Sequence, residues 1–294
     1  MYFQSKIIAA IENLLLQDGD TSSDRPTALG FESCVGVEHI DLSKPLKIEG
    51  RVEKYLQDVI NNVVSSLRDI LVKSIDSFAT TPTEKWVKKE PNQIILTTSL
   101  VYFTKKMEAS FAALKAGDDQ ALEKMLQSKK DALTELIDLV RTNLTKAERM
   151  KIMCLITLDA HSRDICQNLL EGKVTEVTQF EWQSQLRFEW RAKEMDCFIM
   201  IVDAEFKYCF EYIGNGARLV ITPLTDRIYV TATQVLLFAV FVIFSEHLSK
   251  KGYQRVVQAL MRLVCCRRSS SAWAVPPKDP QEQERRKRPR TSRP

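Results

Sequence analysis

The residues of this chain that could do chemistry are few and scattered. Its three histidines, at 39, 161 and 247, lie far apart in the sequence. No serine or cysteine stands in a G-x-S-x-G context that would expose a nucleophile at a tight turn. His161 and Asp164 share one face of a helix through their i, i+3 spacing, but two ligands do not make a metal site. The sequence therefore predicts neither a catalytic residue nor a metal centre.

The glycines do not have the spacing of a phosphate-binding loop. Such a loop, G-x-x-x-x-G-K-[ST], uses backbone N–H groups to hold phosphates and a lysine to reach the terminal ones. The only Gly-Lys pair is Gly172-Lys173, which is followed by Val174 and has no glycine five residues before Gly172. Beyond Gly216 the only glycine is Gly252. We therefore expect that this chain does not hydrolyse ATP.

Composition favours a mainly helical, globular protein. The chain has 294 residues, of which 45% are hydrophobic, enough for a buried core in one or two domains. Nine glycines and ten prolines are few for an all-β protein. The seven cysteines form no C-x-x-C pair, which favours free thiols in a reducing compartment. The longest apolar run, Val235–Phe244, is far shorter than the roughly 20 residues that span a bilayer.

The net charge of +4 comes from one end of the sequence. Residues 265–294 contain nine Lys or Arg against three Asp or Glu, so the remainder is close to neutral. The run 284–290 has the composition of a nuclear-localisation or nucleic-acid patch, but it lacks the interleaved aromatics that stack on bases. We expect a basic disordered tail and no specific nucleic-acid partner.

Apolar residues recur every three or four positions through most of the chain, which predicts a bundle of helices joined by short loops. The pattern 1–17 predicts a short N-terminal helix, followed by a polar loop and then an extended or hairpin segment from Phe31 to Glu49. A capping box at Thr145-Lys146-Ala147-Glu148 predicts the start of one long helix. The predicted bundle helices run from Arg51 to before Pro82, from after Pro91 to Leu114, from Gln120 to Thr142, and from the capping box through Leu170.

Two stretches of the sequence resemble the heavy chains of dynein. Residues 178–194 match the phrase F-x-W-x-x-Q-L-R-x-x-W that ends the linker of that family. Residues 199–234, with the core Arg218–Arg227, resemble the stretch that leads into the first nucleotide-binding module. The resemblance covers about 31–234 and then ends abruptly, which suggests an alternative end or a truncated module. The residue identities at 219–222 favour the axonemal type. The residues that match the linker phrase are Phe180, Trp182, Gln185, Leu186, Arg187 and Trp190.

The resemblance implies a fold of mainly α class: the helical bundle or rod of the dynein linker, then a truncated α/β AAA+ segment and a disordered tail. The expected division is an N-terminal helix and extended segment at 1–50, the helical linker region at 51–194, and the start of the first AAA+ module at 195–234. An apolar, amphipathic segment outside the family follows at 235–264, and the basic tail occupies 265–294.

The implied function is that of a fragment of a microtubule-based motor, in which the linker moves as the first module hydrolyses ATP. The family uses ATP and Mg²⁺, whereas this chain is expected to hold no cofactor. The implied partners are dynein complex subunits and microtubules, and the implied location is the cytoskeleton of the cytoplasm and the ciliary axoneme. The adenine-side loop of the family would correspond to Leu219, Val220, Ile221, Thr222 and Pro223, which alone are expected to bind nothing measurable.

One alternative is a non-enzymatic helical interaction protein that carries a basic targeting tail. The segment 199–234 distinguishes the two hypotheses, because an ordinary bundle helix would have no reason to contain Gly214-Asn215-Gly216 and Thr222-Pro223. A third possibility, an intact ATPase, requires the missing phosphate loop.

The sequence also leads us to expect that 199–264 is the weakest part of the molecule. In a complete AAA+ module the first strand pairs with parallel neighbours that come from later sequence, and those neighbours are absent here. On this view, deleting 199–294 would leave a more soluble protein whose helical body melts almost as before.

Overall fold

The computed structural model describes residues 11–17, 25–33, 38–216, 218 and 220–245, and all structural statements below concern these residues. The predicted tail at 265–294 and most of the predicted segment 235–264 lie outside the described residues. The elements comprise six strands and seven helices, and they confirm the mainly α class. The strands are β1 (Ile11–Gln17), β2 (Thr27–Ser33), β3 (His39–Lys47), β4 (Arg187–Arg191), β5 (Asp196–Ile201) and β6 (Ala204–Lys207). The helices are α1 (Val52–Phe78), α2 (Thr83–Lys89), α3 (Asn92–Lys115), α4 (Ala121–Val140), α5 (Lys146–Glu171), α6 (Phe180–Gln183) and α7 (Pro223–Ser245).

The four predicted bundle helices are present as α1, α3, α4 and α5. The capping box that begins α5 is confirmed, since the Thr145 side chain accepts from the Glu148 N–H and the Glu148 carboxylate accepts from the Thr145 N–H. The sequence analysis missed α2, a short helix that presents Trp86 to the core. The Trp86 indole N–H donates to the Ser74 hydroxyl at 3.0 Å and so ties α2 to α1.

The prediction of a helix at 1–17 is wrong for the part that the structure describes. Residues 11–17 form β1, which pairs antiparallel with β2, and β2 pairs antiparallel with β3. Apolar residues at 11, 14 and 15 fit one face of a helix. They also suit a strand, and the pairing with β2 stabilises the strand. The pairing is close at Gly30, where an added Cβ would lie 2.7 Å from the Ile40 carbonyl oxygen. The predicted extended segment at 31–49 is present as the end of β2 and as β3.

The aromatic residues at 180–190 are divided between the helix α6 and the strand β4. Trp182 lies on α6 and is fully buried, with its ring 5.8 Å from that of Phe111 and 6.1 Å from that of Phe103. Phe180 on the same short helix is 63% exposed. Trp190 lies on β4, the first strand of the antiparallel sheet β4-β5-β6. The β4–β5 hairpin crosses the boundary between 194 and 195 at which the sequence analysis divided the chain.

Two apolar cores hold the elements together. The larger core joins both sheets to α1, α2, α3 and α5, and the smaller one surrounds Trp182 between α3, α4 and α5. The sheet β4-β5-β6 is anchored on α3, where the Phe188 N–H donates to the Thr104 hydroxyl at 3.1 Å. None of the described helices combines the length and the apolar character needed to cross a bilayer.

The expectation that 199–264 is the weakest part is wrong for residues 199–212. Alternate residues of this stretch are buried in the larger core, and β5 and β6 pair antiparallel with β4. These strands therefore need no parallel neighbours from later sequence. The buried residues are Ile199, Ile201, Ala204, Phe206, Tyr208, Phe210 and Tyr212. Deleting 199–294 would remove part of the core, so we now expect the helical body to be strongly destabilised.

A point substitution tests this correction. Phe210 is fully buried, whereas Val220, ten residues further on, is 63% exposed. We expect Phe210→Ala to lower the free energy of unfolding by about 3–5 kcal/mol because it opens a cavity in the core. The matched control Val220→Ala should change it by less than about 0.5 kcal/mol. Urea unfolding followed by circular dichroism measures both, and equal small effects would contradict the burial of this segment.

Candidate functional site

The chain between β6 and α7 is fastened to the helices by buried polar side chains. Gln93, in the first turn of α3, uses both ends of its amide. Its Nε2 donates to the Tyr208 hydroxyl and to the Glu211 carbonyl oxygen, each at 2.8 Å. Its Oε1 accepts from the Ile213 N–H at 3.2 Å. One buried amide thus contacts three residues, at 208, 211 and 213, of the segment that leaves the second sheet.

Glu38, which directly precedes β3, adds a buried charge to the same region. Its carboxylate accepts from the Asn92 N–H at 2.7 Å, which satisfies a free donor at the start of α3. It also accepts from the Tyr212 hydroxyl at 2.9 Å and lies 3.5 Å from the Lys151 Nζ of α5. Lys151 in turn donates to the Glu90 carbonyl oxygen at 2.7 Å. Each buried charge therefore has a charged or hydrogen-bonding partner.

We call these residues the buried clasp. It joins the start of β3, the start of α3, the second turn of α5 and the segment 208–213 at one place. Its members are Glu38, Gln93, Lys151, Tyr208 and Tyr212. The sequence analysis did not find it, because its members are far apart in the chain and no periodicity relates them. The one available signal was the polar pair Asn92-Gln93 at the head of α3, directly before Ile94-Ile95-Leu96.

The turn Gly214-Asn215-Gly216 carries the segment along α5. Gly214 has a φ of 73°, a conformation that glycine adopts without strain. Asn215 is fully buried and its Nδ2 donates to the Ala147 carbonyl oxygen at 3.3 Å. The Cys154 thiol of α5 donates to the Gly216 carbonyl oxygen at 3.3 Å. The chain is thus held against the helical body as far as Gly216.

The predicted adenine-side loop leads into a helix. Val220, Ile221 and Thr222 form no strand, and α7 begins at Pro223. Proline suits the first helical position because its missing N–H would lack a partner in any case. Thr222 and Thr225 close the first turn, since the Thr222 N–H donates to the Thr225 hydroxyl and that hydroxyl donates to the Thr222 carbonyl oxygen, both at 2.8 Å. Leu219 lies outside the described residues.

A cleft of about 530 Å³ brings part of this loop against α5 and α6. Ile221, Thr222 and Pro223 line one side of the cleft, whereas the exposed Val220 does not line it. His161 and Asp164, which the sequence analysis considered as an insufficient metal pair, line another side. The short helix α6 contributes Phe180 and Glu181 to the lining, and Ser184 and Gln185, which follow it, also line the cleft.

Burial shifts the pKa of two groups in the cleft. It lowers the pKa of the His161 imidazole, against the opposing effect of the Asp226 and Asp164 carboxylates. It raises the pKa of the Asp226 carboxyl, against the opposing effect of His161. Both side chains line the cleft, and in both the neutral form is favoured by desolvation.

The lining determines which chemistry the cleft could support. Phe180, Ile221 and Pro223 offer apolar surface to a flat ring. The titratable residues among the lining are His161 and three carboxylates, those of Asp164, Glu181 and Asp226, and the Arg218 guanidinium acts on His161 from outside the lining. The negative charge of the walls disfavours a polyphosphate. Within the described ranges, no three His, Cys, Asp or Glu side chains come together as a metal site.

Arg187 of the linker-like phrase does not bind a ring or a carboxylate directly. Its guanidinium is buried and donates to the Gln183 Oε1 at 2.6 Å, beside the Val202 carbonyl oxygen at 3.5 Å. Burial lowers its pKa, against the effect of nearby carboxylates. Stacking on an aromatic ring is performed by Arg191 instead, whose guanidinium carbon lies 4.2 Å from the centre of the Phe198 ring. Arg187 thus locks α6 to the hairpin β4–β5.

Comparison with known proteins gives a family for this arrangement. The profile of the family AAA_6, described as the hydrolytic ATP binding site of dynein motor region, matches residues 208–244. The match begins at Tyr208 of the buried clasp and includes the whole lining loop at 221–223. It also continues ten residues past Gln234, where the sequence analysis expected the resemblance to end.

Relatives match most of the chain. The dynein alpha chain of the flagellar outer arm of Chlamydomonas reinhardtii is 43% identical over 231 residues, or 78% of this chain. The ciliary dynein beta chain of Tripneustes gratilla is 37% identical over 232 residues, or 79% of this chain. Human dynein axonemal heavy chain 17 is 35% identical over 216 residues, or 73% of this chain.

The helical body and the matched segment therefore define a section of a dynein motor chain. Over the matched residues the chain belongs to the dynein heavy-chain family, and the relatives named above are of the axonemal, ciliary and flagellar type. The chain spans about 5% of the length of each of these relatives.

The charge of Glu38 in the buried clasp can be tested with a double-mutant cycle. Tyr212→Phe removes a hydrogen bond to a buried carboxylate, so we expect it to cost about 1.5–3 kcal/mol of unfolding free energy. In a Glu38→Gln background the same change should cost less, because a neutral amide accepts more weakly than a carboxylate. The control Tyr102→Phe removes a bond to the Ile75 carbonyl oxygen and should add independently to Glu38→Gln. Additivity for both tyrosines would show that Tyr212 and Glu38 do not interact.

The histidine of the cleft should give the protein a pH dependence. Because the folded pKa of His161 lies below its ordinary value of 6.5, the unfolded chain binds a proton more readily than the folded one. Stability should therefore fall as the pH drops from about 7 through 6.5 towards the folded pKa. We expect His161→Gln to reduce this slope in urea unfolding, whereas Gln185→Ala, a cleft change without a titrating group, should retain it. The same slope in His161→Gln and the parent would exclude His161 as its source.

Proposed function

We propose that this chain is the joint of an axonemal-type dynein heavy chain, where the helical linker meets the start of the first ATP-hydrolysing module. The observation that carries the proposal is that the profile match begins at Tyr208, inside the buried clasp. The first residues of the motor-region match are therefore bonded to α3 and held close to α5 of the helical body. A force applied to either part would pass through these bonds.

The helical body has the construction that a lever needs. Its helices α1, α3 and α5 are each more than twenty residues long and share the larger core. Long helices packed side by side resist bending better than loops or isolated hairpins do. The clasp then fixes the chain to this body up to Gly216. Beyond Gly216, the contacts of α7 with the body are fewer and include a bond from the Gln234 Nε2 to the Ile201 carbonyl oxygen at 3.3 Å.

We propose that this chain contributes no catalytic group and holds no cofactor by itself, although the family name refers to ATP hydrolysis. The residues Leu219, Val220, Ile221, Thr222 and Pro223 would supply the adenine side of a nucleotide site. Three of them line the cleft, but its acidic walls disfavour phosphates, and the sequence has no phosphate loop. ATP and Mg²⁺ would be held by sequence that this chain lacks.

The partners and location follow from the same proposal. A joint of this kind would work within a dynein complex that moves along microtubules in the ciliary axoneme. The support is the relatedness to axonemal, ciliary and flagellar dynein chains. The joint itself needs no nucleic-acid or membrane partner.

We expect the purified chain to turn over no ATP, because its sequence lacks the phosphate loop whose lysine and backbone N–H groups would stabilise the charge on the transferred phosphoryl group. A fluorescent ATP analogue should show no saturation below about 1 mM. Phosphate release and fluorescence anisotropy measure the two properties. ATP turnover that stays with the monodisperse protein and disappears in Ile221→Asp would refute this expectation.

The mechanical role can be tested in the Chlamydomonas relative. Residues of this chain up to Gln234 would replace the matching section of the flagellar outer-arm alpha chain, and microtubule gliding and ATP turnover would be measured. We expect the exchanged chain to support gliding. Adding Gln93→Ala should slow gliding more than it lowers ATP turnover, because the clasp loosens while the catalytic sequence is unchanged.

The control in the same exchanged chain is Tyr102→Phe, which weakens the helical body away from the clasp. It should leave the ratio of gliding speed to ATP turnover unchanged. Equal ratios for the Gln93→Ala and Tyr102→Phe chains would contradict a role of the clasp in force transmission.

A further inference from the structure

The cleft between α5, α6 and the start of α7 has the size and the lining of a small-molecule site. Its volume of about 530 Å³ lies within the range of about 300–1,000 Å³ that such sites occupy. Ligand sites combine apolar walls with a few convergent polar groups, often with shifted pKa values. Here the buried Ile165 and Leu169 contribute apolar lining, and the titratable groups come from three separate helices. The chemistry of these walls decides which ligand the cleft fits.

The cleft includes an aromatic ring that remains accessible to water. Phe180 is 63% exposed, although it belongs to the same short helix as the fully buried Trp182. An accessible ring of this kind can stack with a planar group. Ile221 and Pro223 add further apolar surface to the same cleft. The lining therefore suits a flat ligand.

Two carboxylates of the cleft have no cationic partner in the described part of the chain. Asp164 pairs with Arg163, whose Nη2 lies 2.5 Å from a carboxylate oxygen. Asp226 on α7 and Glu181 on α6 take part in no ion pair among the described residues, and both line the cleft. Asp226 is half-buried, and burial raises the pKa of its carboxyl because the charged form is poorly solvated there. A bound cation would supply the missing partner.

We propose that this cleft binds a planar organic cation, in which a guanidinium or amidinium group stacks on the Phe180 ring and pairs with the Asp226 and Glu181 carboxylates. A guanidinium is flat, weakly hydrated and able to donate two parallel hydrogen bonds to one carboxylate, and an amidinium shares this geometry. A cation over an aromatic face is also attracted by the ring quadrupole. An ammonium group is compact and strongly hydrated, so it fits the same walls less well.

This ligand differs in charge from the adenine ring considered above, because adenine is neutral. A neutral flat ring would use only the apolar walls of the cleft, whereas a planar cation would use the carboxylates as well. The inference does not depend on the mechanical role of the chain, and the gliding experiment can fail without affecting it.

The test titrates the full chain with benzamidinium and with benzamide, which has nearly the same shape without the charge, and follows the amide NMR shifts of the protein. We expect benzamidinium to bind at least about tenfold more tightly, because charge-assisted hydrogen bonds are roughly twice as strong as neutral ones. The shifts should centre on residues 161–165, 180–185 and 221–226. A parallel titration with N-acetylarginine amide distinguishes the source of the cation. Tighter binding of this derivative would assign the site to an arginine side chain of a peptide, and the reverse order to a free aromatic cation.

Variants at exposed positions test the two wall contacts. Glu181→Gln and Phe180→Ala should each weaken the binding of benzamidinium at least about threefold. Both side chains are exposed, so the fold should survive, and the melting temperature of each variant checks this. The matched control Glu123→Gln removes an exposed carboxylate of α4 that does not line the cleft, and it should leave the affinity unchanged.

Three outcomes would overturn the proposal. The first is equal affinity for benzamide and benzamidinium, which would show that the cleft selects flat rings and not charge. The second is an equal loss of affinity in Glu181→Gln and Glu123→Gln, which would indicate general attraction to an acidic surface. The third is a set of benzamidinium shifts that lies outside the residues of the cleft.

Discussion

The arrangement of this protein depends on a buried carboxylate. Glu38 is almost inaccessible to water, and a charge in that position is tolerated only when it is paired and hydrogen-bonded. Its partners come from the head of α3, from α5 and from the segment after β6. The chain can satisfy the carboxylate only when these elements are brought together. The first sheet, the helical bundle and the beginning of the motor-region match are thereby fixed to one another.

The second sheet, β4-β5-β6, follows the bundle helices and packs directly on them. The β4–β5 hairpin packs on α3. Trp182 fills the smaller core, and Arg187 connects α6 to the hairpin. From there the chain passes directly into the clasp and then along α5. No flexible linker separates the family's linker phrase from the motor-region match. The residues 178–194 and the start of the motor-region match are therefore parts of one packed body up to Gly216.

The cleft beside residues 221–223 has apolar walls for a flat ring but few groups that could bind phosphates. Phe180, Ile221 and Pro223 provide the apolar contacts that a base requires, yet the surrounding titratable groups are three carboxylates and a histidine. Binding of ATP depends largely on its phosphates, which require backbone N–H groups, a lysine and a metal ion. Residues 221–223 thus line a cleft whose titratable lining residues are mostly carboxylates. Their measurable role in this chain is to start α7 at Pro223.

The sequence by itself determined the four bundle helices α1, α3, α4 and α5, because periodic apolar stripes, prolines and the capping box act within a few residues of each other. It also determined the family, since the sequence motifs at 178–194 and 199–234 can be matched to dynein heavy chains without a structure. It could not determine β1, where the same leucines suit a helix or a strand until β2 is present to pair with them. Nor could it place His161 opposite Ile221, or join Glu38 to Tyr212 across 174 residues. Those relations depend on which surfaces meet when the whole chain packs, and burial and pairing between distant residues decided them.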